Sequence, residues 1–265
     1  MLYILAMTQL LTLTVTDEPS TWEALGFTVD DIAVRIGTVT ILCAGAPSNA
    51  STAPDGSNTS DGSSSSDASN TSKPAEPTGI VEWTIGWAAE TLEAADLDPD
   101  DLPGDIDGVP TSAIVGAGTP PVAPPHPNGV TSIDHVVVMT PDLDRTVAEF
   151  EALGIPCRRV REGAAYGSKT VRQAFFWLGN PDGAPEEKVI VEVVGPDIVD
   201  PEKADEGARF FGLAFTSHDL ALSSSVIGVH MKPPTNAVQV GRQIASISSK
   251  AGSTVAMVLM SPHVG

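Results

Sequence analysis

The chain repeats itself, and the repeat limits the folds that it can adopt. The segment "WEALGF" at 22–27 reappears as "FEALGI" at 150–155, each copy lying between strand-like stretches. A second pair, "RQAFFWL" from Arg172 and "RQIASIS" from Arg242, leads in both places into an apolar strand that closes in "GP" or "SP". Such repeats are typical of a chain built from copies of one supersecondary unit.

The unit is clearest between 131 and 197. "IDHVVVMT" alternates as a strand does, Asp142 is a helix N-cap, and Gly154 suits the C-terminal cap of that helix. Three strand-like segments follow, "CRRVRE", "RQAFFWLG" and "VIVEVVGP". The order recurs at 208–262, with a short helix after Asp219. The sequence therefore predicts an α+β protein of repeated β-α-β-β-β units.

Composition divides the chain into three parts. We predict a degenerate N-terminal unit over 1–98, with an added strand in "GIVEWTIGW" and a disordered insertion at 46–78 that lacks aromatic and large aliphatic side chains. The range 99–130, which contains "TPPVAPPHPNG", is predicted to be a Pro- and Gly-rich extended linker. The range 131–265 contains the two units described above, which we expect to pair as one domain.

The net charge of the chain excludes several partners. The chain has 34 acidic and 14 basic residues, a net charge of −20, and such a surface repels phosphate backbones and anionic lipid headgroups. Neither nucleic acid nor a membrane is an expected partner. The two cysteines, Cys43 and Cys157, form no metal-binding or redox spacing. No apolar run reaches the roughly 20 residues that cross a bilayer, so we expect a soluble, cytoplasmic protein.

These motifs resemble a known family. With "DHVVVMTPDLDRTVAEFEALG" and "VIVEVVGP" in a β-α-β-β-β unit, the range 133–262 is similar to the vicinal-oxygen-chelate, or glyoxalase-like, superfamily. That superfamily includes glyoxalase I, extradiol dioxygenases, epimerases and bleomycin-resistance proteins. The resemblance implies that two units pair and that their curled antiparallel or mixed sheets form a cup for a divalent metal and a small substrate. It also implies metal ligands on the first and last strands of a unit.

His135 and Glu192 are the candidate metal ligands. The resemblance places His135 at the first-strand position and Glu192 at the last-strand position. A carboxylate on an apolar face is costly unless it is paired, hydrogen-bonded or bound to a cation. An imidazole and a carboxylate together suit Zn²⁺, Ni²⁺, Mn²⁺ or Fe²⁺. Strand alternation predicts that each of these polar side chains lies in an apolar row. One row is Ile133, His135 and Val137, and the other is Ile190, Glu192 and Val194.

The second unit does not complete this site. Its corresponding positions are Gly212 and Val258, neither of which can bind metal. Stable metal sites usually take three or four protein ligands. Further ligands would have to come from substrate, from water, or from Gln173, Gln243 or His263. The alternative is a metal-free cup in which the first unit's histidine and glutamate hydrogen-bond each other or a ligand.

Five residues are candidates for substrate binding. A guanidinium is a planar fork that matches a carboxylate, and an amide can bind a carbonyl-bearing ligand. The Arg-Gln pair recurs in both repeats, which equally suits structural contacts at strand ends. The candidates are Arg172, Gln173, Trp177, Arg242 and Gln243.

Three functions follow from these expectations. The first is a metal-dependent lyase, isomerase or dioxygenase, in which the metal polarises a substrate carbonyl or hydroxyl and Glu192 is a ligand or a base. The second is a metal-free protein that sequesters a small molecule such as an antibiotic without catalysis. The third is a set of degenerate repeats that hold an oligomer, such as a homodimer, together. The sequence lacks a glycine-rich phosphate loop, a Gly-x-Ser-x-Gly elbow and a Cys-x-x-Cys pair, which argues against nucleotide hydrolysis, serine esterase and thiol redox chemistry.

Overall fold

Two open, mixed β-sheets and four α-helices form the described part of the chain. The computed structural model describes residues 8–45, 79–166, 169–180 and 182–263. The insertion predicted to be disordered, 46–78, lies outside the described residues. Within the described ranges, no helix is long and apolar enough to cross a lipid bilayer. The predicted α+β class is confirmed.

The N-terminal sheet consists of two β-α-β-β units. Their elements are β1 (Gln9–Val15), α1 (Pro19–Ala24), β2 (Ala33–Ile36) and β3 (Val39–Cys43), then β4 (Ile80–Trp87), α2 (Ala89–Ala94), β5 (Asp105–Ile106) and β6 (Val109–Val115). The strand order is β2-β3-β1-β4-β6-β5. In each unit the first strand is parallel to the last, and the two first strands, β1 and β4, pair antiparallel at the centre.

This arrangement corrects two predictions. The range 1–98 is not one unit with an added strand, because that strand, β4, begins a second unit that extends to Val115. The range 99–130 is not only a linker, because it contains β5 and β6. Asp107 and Gly108 join these two strands with φ angles of 51° and 89°. Positive φ at both central residues is what a type I′ hairpin turn requires, and Asp-Gly is a preferred sequence for it.

The C-terminal sheet contains two β-α-β-β-β units. Their elements are β7 (Val130–Met139), α3 (Leu143–Ala152), β8 (Arg159–Tyr166), β9 (Lys169–Gly179) and β10 (Lys188–Pro196), then β11 (Arg209–Ser217), α4 (Leu220–Ile227), β12 (Thr235–Asn236), β13 (Gln243–Ser246) and β14 (Ala256–Met260). The strand order is β12-β13-β14-β11-β7-β10-β9-β8. The first strands, β7 and β11, pair antiparallel, and each is parallel to the last strand of its own unit.

The helices of both C-terminal units begin in the same way. The carboxylate of Asp142 accepts hydrogen bonds from the first backbone N–H groups of α3, and the carboxylate of Asp219 does so for α4. These bonds satisfy N–H groups that have no partner within the helix. Gly154 follows α3 with a φ of 73°, as a helix C-terminal cap requires. The repeated Asp-Leu sequence thus fixes the start of both helices.

One apolar core joins the two sheets and the four helices. Trp22 of α1 meets Phe215 of β11 edge to face, with ring centroids 6.1 Å apart. Trp83 of β4 packs in the same way on Phe150 of α3 and on Phe210 of β11. The alternate residues of β7 and β10 that enter this core are Val136, Val138, Val191 and Val193. The opposite face of the C-terminal sheet is left to form the cup.

Candidate functional site

A bulge in β7 decides which residues face the cup. The pairing of β7 with β11 matches His135 to Ala214 but Ile133 to Phe215, so the register shifts at Asp134. Ile133 is therefore buried in the core, whereas His135 and Val137 line the cup. The predicted row of Ile133, His135 and Val137 is wrong at its first member. An inserted residue turns the strand locally, and a period-two pattern does not reveal it.

The structure brings His135, Glu192 and Gln173 together on the cup face. The imidazole Nε2 of His135 lies 3.4 Å from Oε2 of Glu192, and each side chain is about one-sixth exposed, at 16% and 15%. The side-chain amide of Gln173 donates a hydrogen bond to Oε1 of Glu192. The amide oxygen of Gln173 is buried and has no hydrogen-bond partner among the described residues. These three residues come from three neighbouring strands, β7, β10 and β9.

Asp134 fixes the orientation of His135, and the sequence analysis missed it. Its Oδ1 lies 2.8 Å from Nδ1 of His135, and its Oδ2 accepts from Thr216 at 3.1 Å and from Arg242 at 2.6 Å. Burial alone would raise the pKa of this carboxyl, but the hydrogen bonds from His135 and Arg242 and the charge of Arg242 hold the pKa well below its usual range. An ionised carboxylate only accepts hydrogen bonds, so Nδ1 carries the imidazole proton.

Arg242 supports Asp134 and does not reach the cup. It is 2% exposed. Its guanidinium also donates to the Ser261 carbonyl at 2.7 Å and to the Gln239 side chain at 2.6 Å, and it lies 3.1 Å from Nε2 of His263. Burial, and then the charge of Arg242, lower the pKa of His263. These contacts do not support the predicted substrate-binding role of Arg242.

The remaining predicted substrate-binding residues are dispersed. Arg172 lies on the helix side of β9, where it forms ion pairs with Asp144 at 2.9 Å and Glu162 at 3.0 Å. Gln243 is exposed on β13, which is separated from β7 by two strands, β14 and β11. Trp177 shares the cup face of β9 with Gln173 and is 38% exposed at the rim. Only Gln173 and Trp177 therefore lie where a ligand in the cup could contact them.

The second unit contributes space to the cup. Gly212 pairs with Val137 and Ala214 with His135, so Gly212 occupies the position in β11 that His135 has in β7. A Cβ atom on Gly212 would lie 2.4 Å from the Ala256 carbonyl oxygen, so no side chain fits there. A cavity of about 400 Å³ opens on this side, lined by His135, by Gly212, by Val258 and by hydroxyl side chains of the segment 246–254.

The first unit's end of the cup is filled by its own side chains. Ala164, Val171 and Val194 are buried against one another, and Val137 and Met139 pack on them. The open cavity begins at His135 and extends toward β11 and β14. Glu192 is not among its lining residues but contacts His135, which is.

The side chains of His135, Glu192 and Gln173 carry nitrogen and oxygen atoms of the kinds that bind borderline divalent ions. The described residues contain no group of three or more His, Cys, Asp or Glu side chains placed to hold a metal. Three donors are nevertheless available: Nε2 of His135, the carboxylate of Glu192 and the amide oxygen of Gln173. The contact of Asp134 with Nδ1 is the carboxylate–histidine pairing found behind most metal-binding histidines.

Comparisons with known proteins agree with this topology. No protein-family model matches the sequence, and no curated protein does. Among solved structures, a mutant of 4-hydroxymandelate synthase from Streptomyces coelicolor matches 98% of this chain and 94% of its own, with a TM-score of 0.58 at 14% identity. Methylmalonyl-CoA epimerases match 51% of this chain: the Streptomyces coelicolor enzyme over 99% of its own length (TM-score 0.40, 21% identity) and the Mycobacterium tuberculosis enzyme over 91% (TM-score 0.38, 19% identity).

The fold defines the class of this protein. Paired β-α-β-β-β units, joined through their first strands into one open sheet, form the vicinal-oxygen-chelate fold. The synthase match extends the likeness across both sheets. The chain shares its fold with this synthase, and the fold that the resemblance implied is confirmed.

Proposed function

We propose that the chain binds a small molecule in the cup of its C-terminal sheet, beside a divalent metal ion held by His135, Glu192 and Gln173. The observation that supports this proposal most directly is the 3.4 Å separation of His135 Nε2 and Glu192 Oε2 on the cup face. That separation is long for a hydrogen bond. Metal bonds of about 2.0–2.2 Å at a tetrahedral angle put two ligand atoms about 3.4 Å apart.

Asp134 prepares His135 for this role. Because Nδ1 donates to Asp134, the lone pair of Nε2 is directed toward Glu192 and the cup. The partner carboxylate also fixes the plane of the imidazole ring. The buried guanidinium of Arg242 holds Asp134 in turn, so the orientation of His135 depends on two buried residues behind it.

The reaction class proposed for the site is that of a metal-dependent lyase, isomerase or dioxygenase. A bound divalent ion would supply Lewis acidity toward a substrate carbonyl or hydroxyl. Glu192 contacts His135, which lines the cavity, and can hold or move a proton at Oε2, the oxygen that faces His135. Gln173 orients Glu192 through the bond to Oε1.

A metal-free binding protein is the second candidate. It is favoured by the second unit, which offers only Gly212 and Val258 at the ligand positions. It is also favoured by the amide of Gln173, which already donates to Glu192. In this case the same polar groups would hydrogen-bond the ligand directly.

Metal content measured by elemental mass spectrometry tests the proposal. We expect near-stoichiometric metal in untagged wild-type protein, its loss in His135→Ala and Glu192→Ala, and partial loss in Gln173→Ala. Gln243→Ala is the matched control, because Gln243 occupies the corresponding place in the second Arg-Gln repeat and is exposed. Wild-type protein that neither contains metal nor takes up added Zn²⁺, Ni²⁺, Mn²⁺ or Fe²⁺ would exclude the metal centre in favour of the binding protein.

A further inference from the structure

Two arginines of β8 lie on the cup face. Arg159 pairs with Phe175 of β9, and Arg161 pairs with Gln173. Directly paired residues of neighbouring strands point to the same side of a sheet, so both arginines share the side of Gln173. Phe175 is in turn the direct partner of Glu192 on β10. At about 4.8 Å between neighbouring strands, Arg159 lies about 10 Å from Glu192 at the backbone, within reach of one small ligand.

These two arginines are not neutralised by a carboxylate among the described residues. Arg145, Arg172 and Arg242 each form an ion pair with an aspartate or glutamate. Arg159 and Arg161 form none with any residue in the described ranges. Unlike Arg172 on the helix side of the neighbouring strand, they combine this lack of an ion pair with a place on the cup face. Their positive charge is therefore available to a ligand.

An aromatic ring extends the same edge of the cup. The guanidinium carbon of Arg158 lies 5.4 Å from the centre of the Trp177 ring, and the ammonium of Lys188 lies 5.7 Å from it. Cations at this distance are attracted to the ring face. They remain close to the partly exposed surface of Trp177, which faces the cup. We call Arg158, Arg159, Arg161 and Lys188 the basic rim.

We infer that the basic rim recognises an anionic group, a carboxylate or a phosphate, on the small molecule that enters the cup. The inference rests on the proposed function, because it names the ligand class of the same site. Arginine donates two parallel hydrogen bonds to either anion. The rest of the acidic surface repels anions, so the rim is the place where an anionic ligand could approach the cup. The polar groups at Glu192 and His135 would then meet the uncharged, reacting part of that ligand.

Isothermal titration calorimetry with defined probes tests the inference. The probes are succinate for a carboxylate ligand, pyrophosphate for a phosphate ligand, and succinamide as the neutral analogue of succinate. We expect one of the anions to bind wild-type protein and succinamide not to bind. The double variant Arg159→Gln/Arg161→Gln should weaken that binding by about tenfold or more, since hydrogen bonds between charged groups are the strong ones. The anion that binds more tightly shows whether the anionic group of the ligand is a carboxylate or a phosphate.

Arg172→Gln is the matched control. Arg172 lies on β9 beside Gln173 but on the helix side, so its loss should change anion affinity by less than about twofold. Equal anion affinity in wild type and the double variant, equal binding of succinamide, or no anion binding by wild type would overturn the inference. Thermal unfolding of each variant confirms that the edge substitutions leave the fold intact.

The same titrations separate this inference from the metal proposal. His135→Ala removes a proposed metal ligand but leaves the rim, so anion binding that persists in His135→Ala supports the rim whatever the metal content. If the Arg159→Gln/Arg161→Gln variant keeps both its metal and its anion affinity, the inference that the basic rim recognises an anion is wrong. The metal proposal is then unaffected.

Discussion

Asp134 satisfies two requirements of the cup at once. It fixes the imidazole of His135 and neutralises the buried guanidinium of Arg242. A buried ion pair gains little net stability over an apolar pair, because both ions lose their water. The contact of this pair with the imidazole therefore supports a role in orienting His135, a candidate ligand.

Removing one partner of this pair should be strongly destabilising. Asp134→Ala leaves the charge of Arg242 buried without compensation, so we expect the free energy of unfolding to fall by about 3–5 kcal/mol, measured by urea denaturation. Asp144→Ala breaks the ion pair with Arg172, in which the aspartate side chain is 75% exposed, and should cost less than about 1 kcal/mol. Equal effects of the two substitutions would show that Asp134 is not a buried partner.

The buried side chain of His126 connects the two halves of the chain through hydrogen bonds. His126 lies in the segment before β7 and is 6% exposed. Its Nδ1 accepts from the backbone N–H of Thr28 at 3.0 Å, and its Nε2 lies 3.0 Å from the Arg35 carbonyl in β2. Nδ1 accepts only when unprotonated, so the neutral ring with its proton on Nε2 is the form that joins these elements.

The stability of the fold should therefore depend on the charge of His126. Burial lowers the pKa of this imidazole, although the Arg35 carbonyl partly opposes the shift. A lowered pKa means that the stabilisation is complete above the unfolded-state value near 6.5 and is lost as the pH falls below it. Between pH 7.5 and 5.5 we expect the free energy of unfolding to decrease more in wild type than in His126→Gln.

Urea denaturation at the two pH values measures this difference. His218→Gln is the control, because His218 is an exposed histidine that contacts only the Gly129 carbonyl among the bonds described. It should show the same decrease as wild type. If His126→Gln loses as much stability on acidification as wild type does, the neutral-ring link is wrong.

The order of the elements could be predicted from the sequence where local signals coincide. In the C-terminal units, apolar alternation, an aspartate cap and a glycine after the helix all indicate the same boundaries. In the N-terminal part, the Pro- and Gly-rich composition of 99–130 predicted a linker where β6 lies. Asp107-Gly108 is nevertheless a sequence signal for a hairpin. The sequence of β6, "VPTSAIV", contains Pro110 and few large apolar side chains, so its alternation is weak.

The candidate site was only partly predictable. His135 and Glu192 stand out because each is polar in an apolar row. The role of Asp134 depends on the bulge in β7, which arises from pairing with β11 and leaves no local pattern. The separation of Arg172 from Gln173 follows from strand alternation, which places adjacent residues on opposite faces. Adjacent members of a conspicuous motif therefore cannot both face the cup.

At the scale of the whole molecule, the N-terminal sheet is a structural companion of the cup. Phe215 lies on β11, the first strand of the second C-terminal unit, and is completely buried. Its ring contacts Trp22 and Phe27, which belong to the first unit of the N-terminal half. Asp17 accepts hydrogen bonds from Ser253 and Thr254, which line the cavity. The wall of the cup is thus held from behind by the other half of the chain.

This shared core predicts that the two halves unfold together. Phe215→Ala opens a cavity among large aromatic rings, and we expect it to lower the free energy of unfolding of the whole chain by about 3–5 kcal/mol. Tryptophan fluorescence should report this loss from both halves, because Trp22, Trp83 and Trp87 lie in the N-terminal part and Trp177 in the C-terminal part. Far-UV circular dichroism should give the same midpoint as fluorescence.

Phe211→Ala is the control for this prediction. Phe211 lies on the same strand but is 45% exposed, so its truncation should cost much less. Separate midpoints for fluorescence and circular dichroism in wild type, or a Phe215→Ala variant that loses one transition and keeps another, would show two independent halves. A single shifted transition means that any ligand that stabilises the cup also stabilises the N-terminal sheet, because both halves share one unfolding equilibrium.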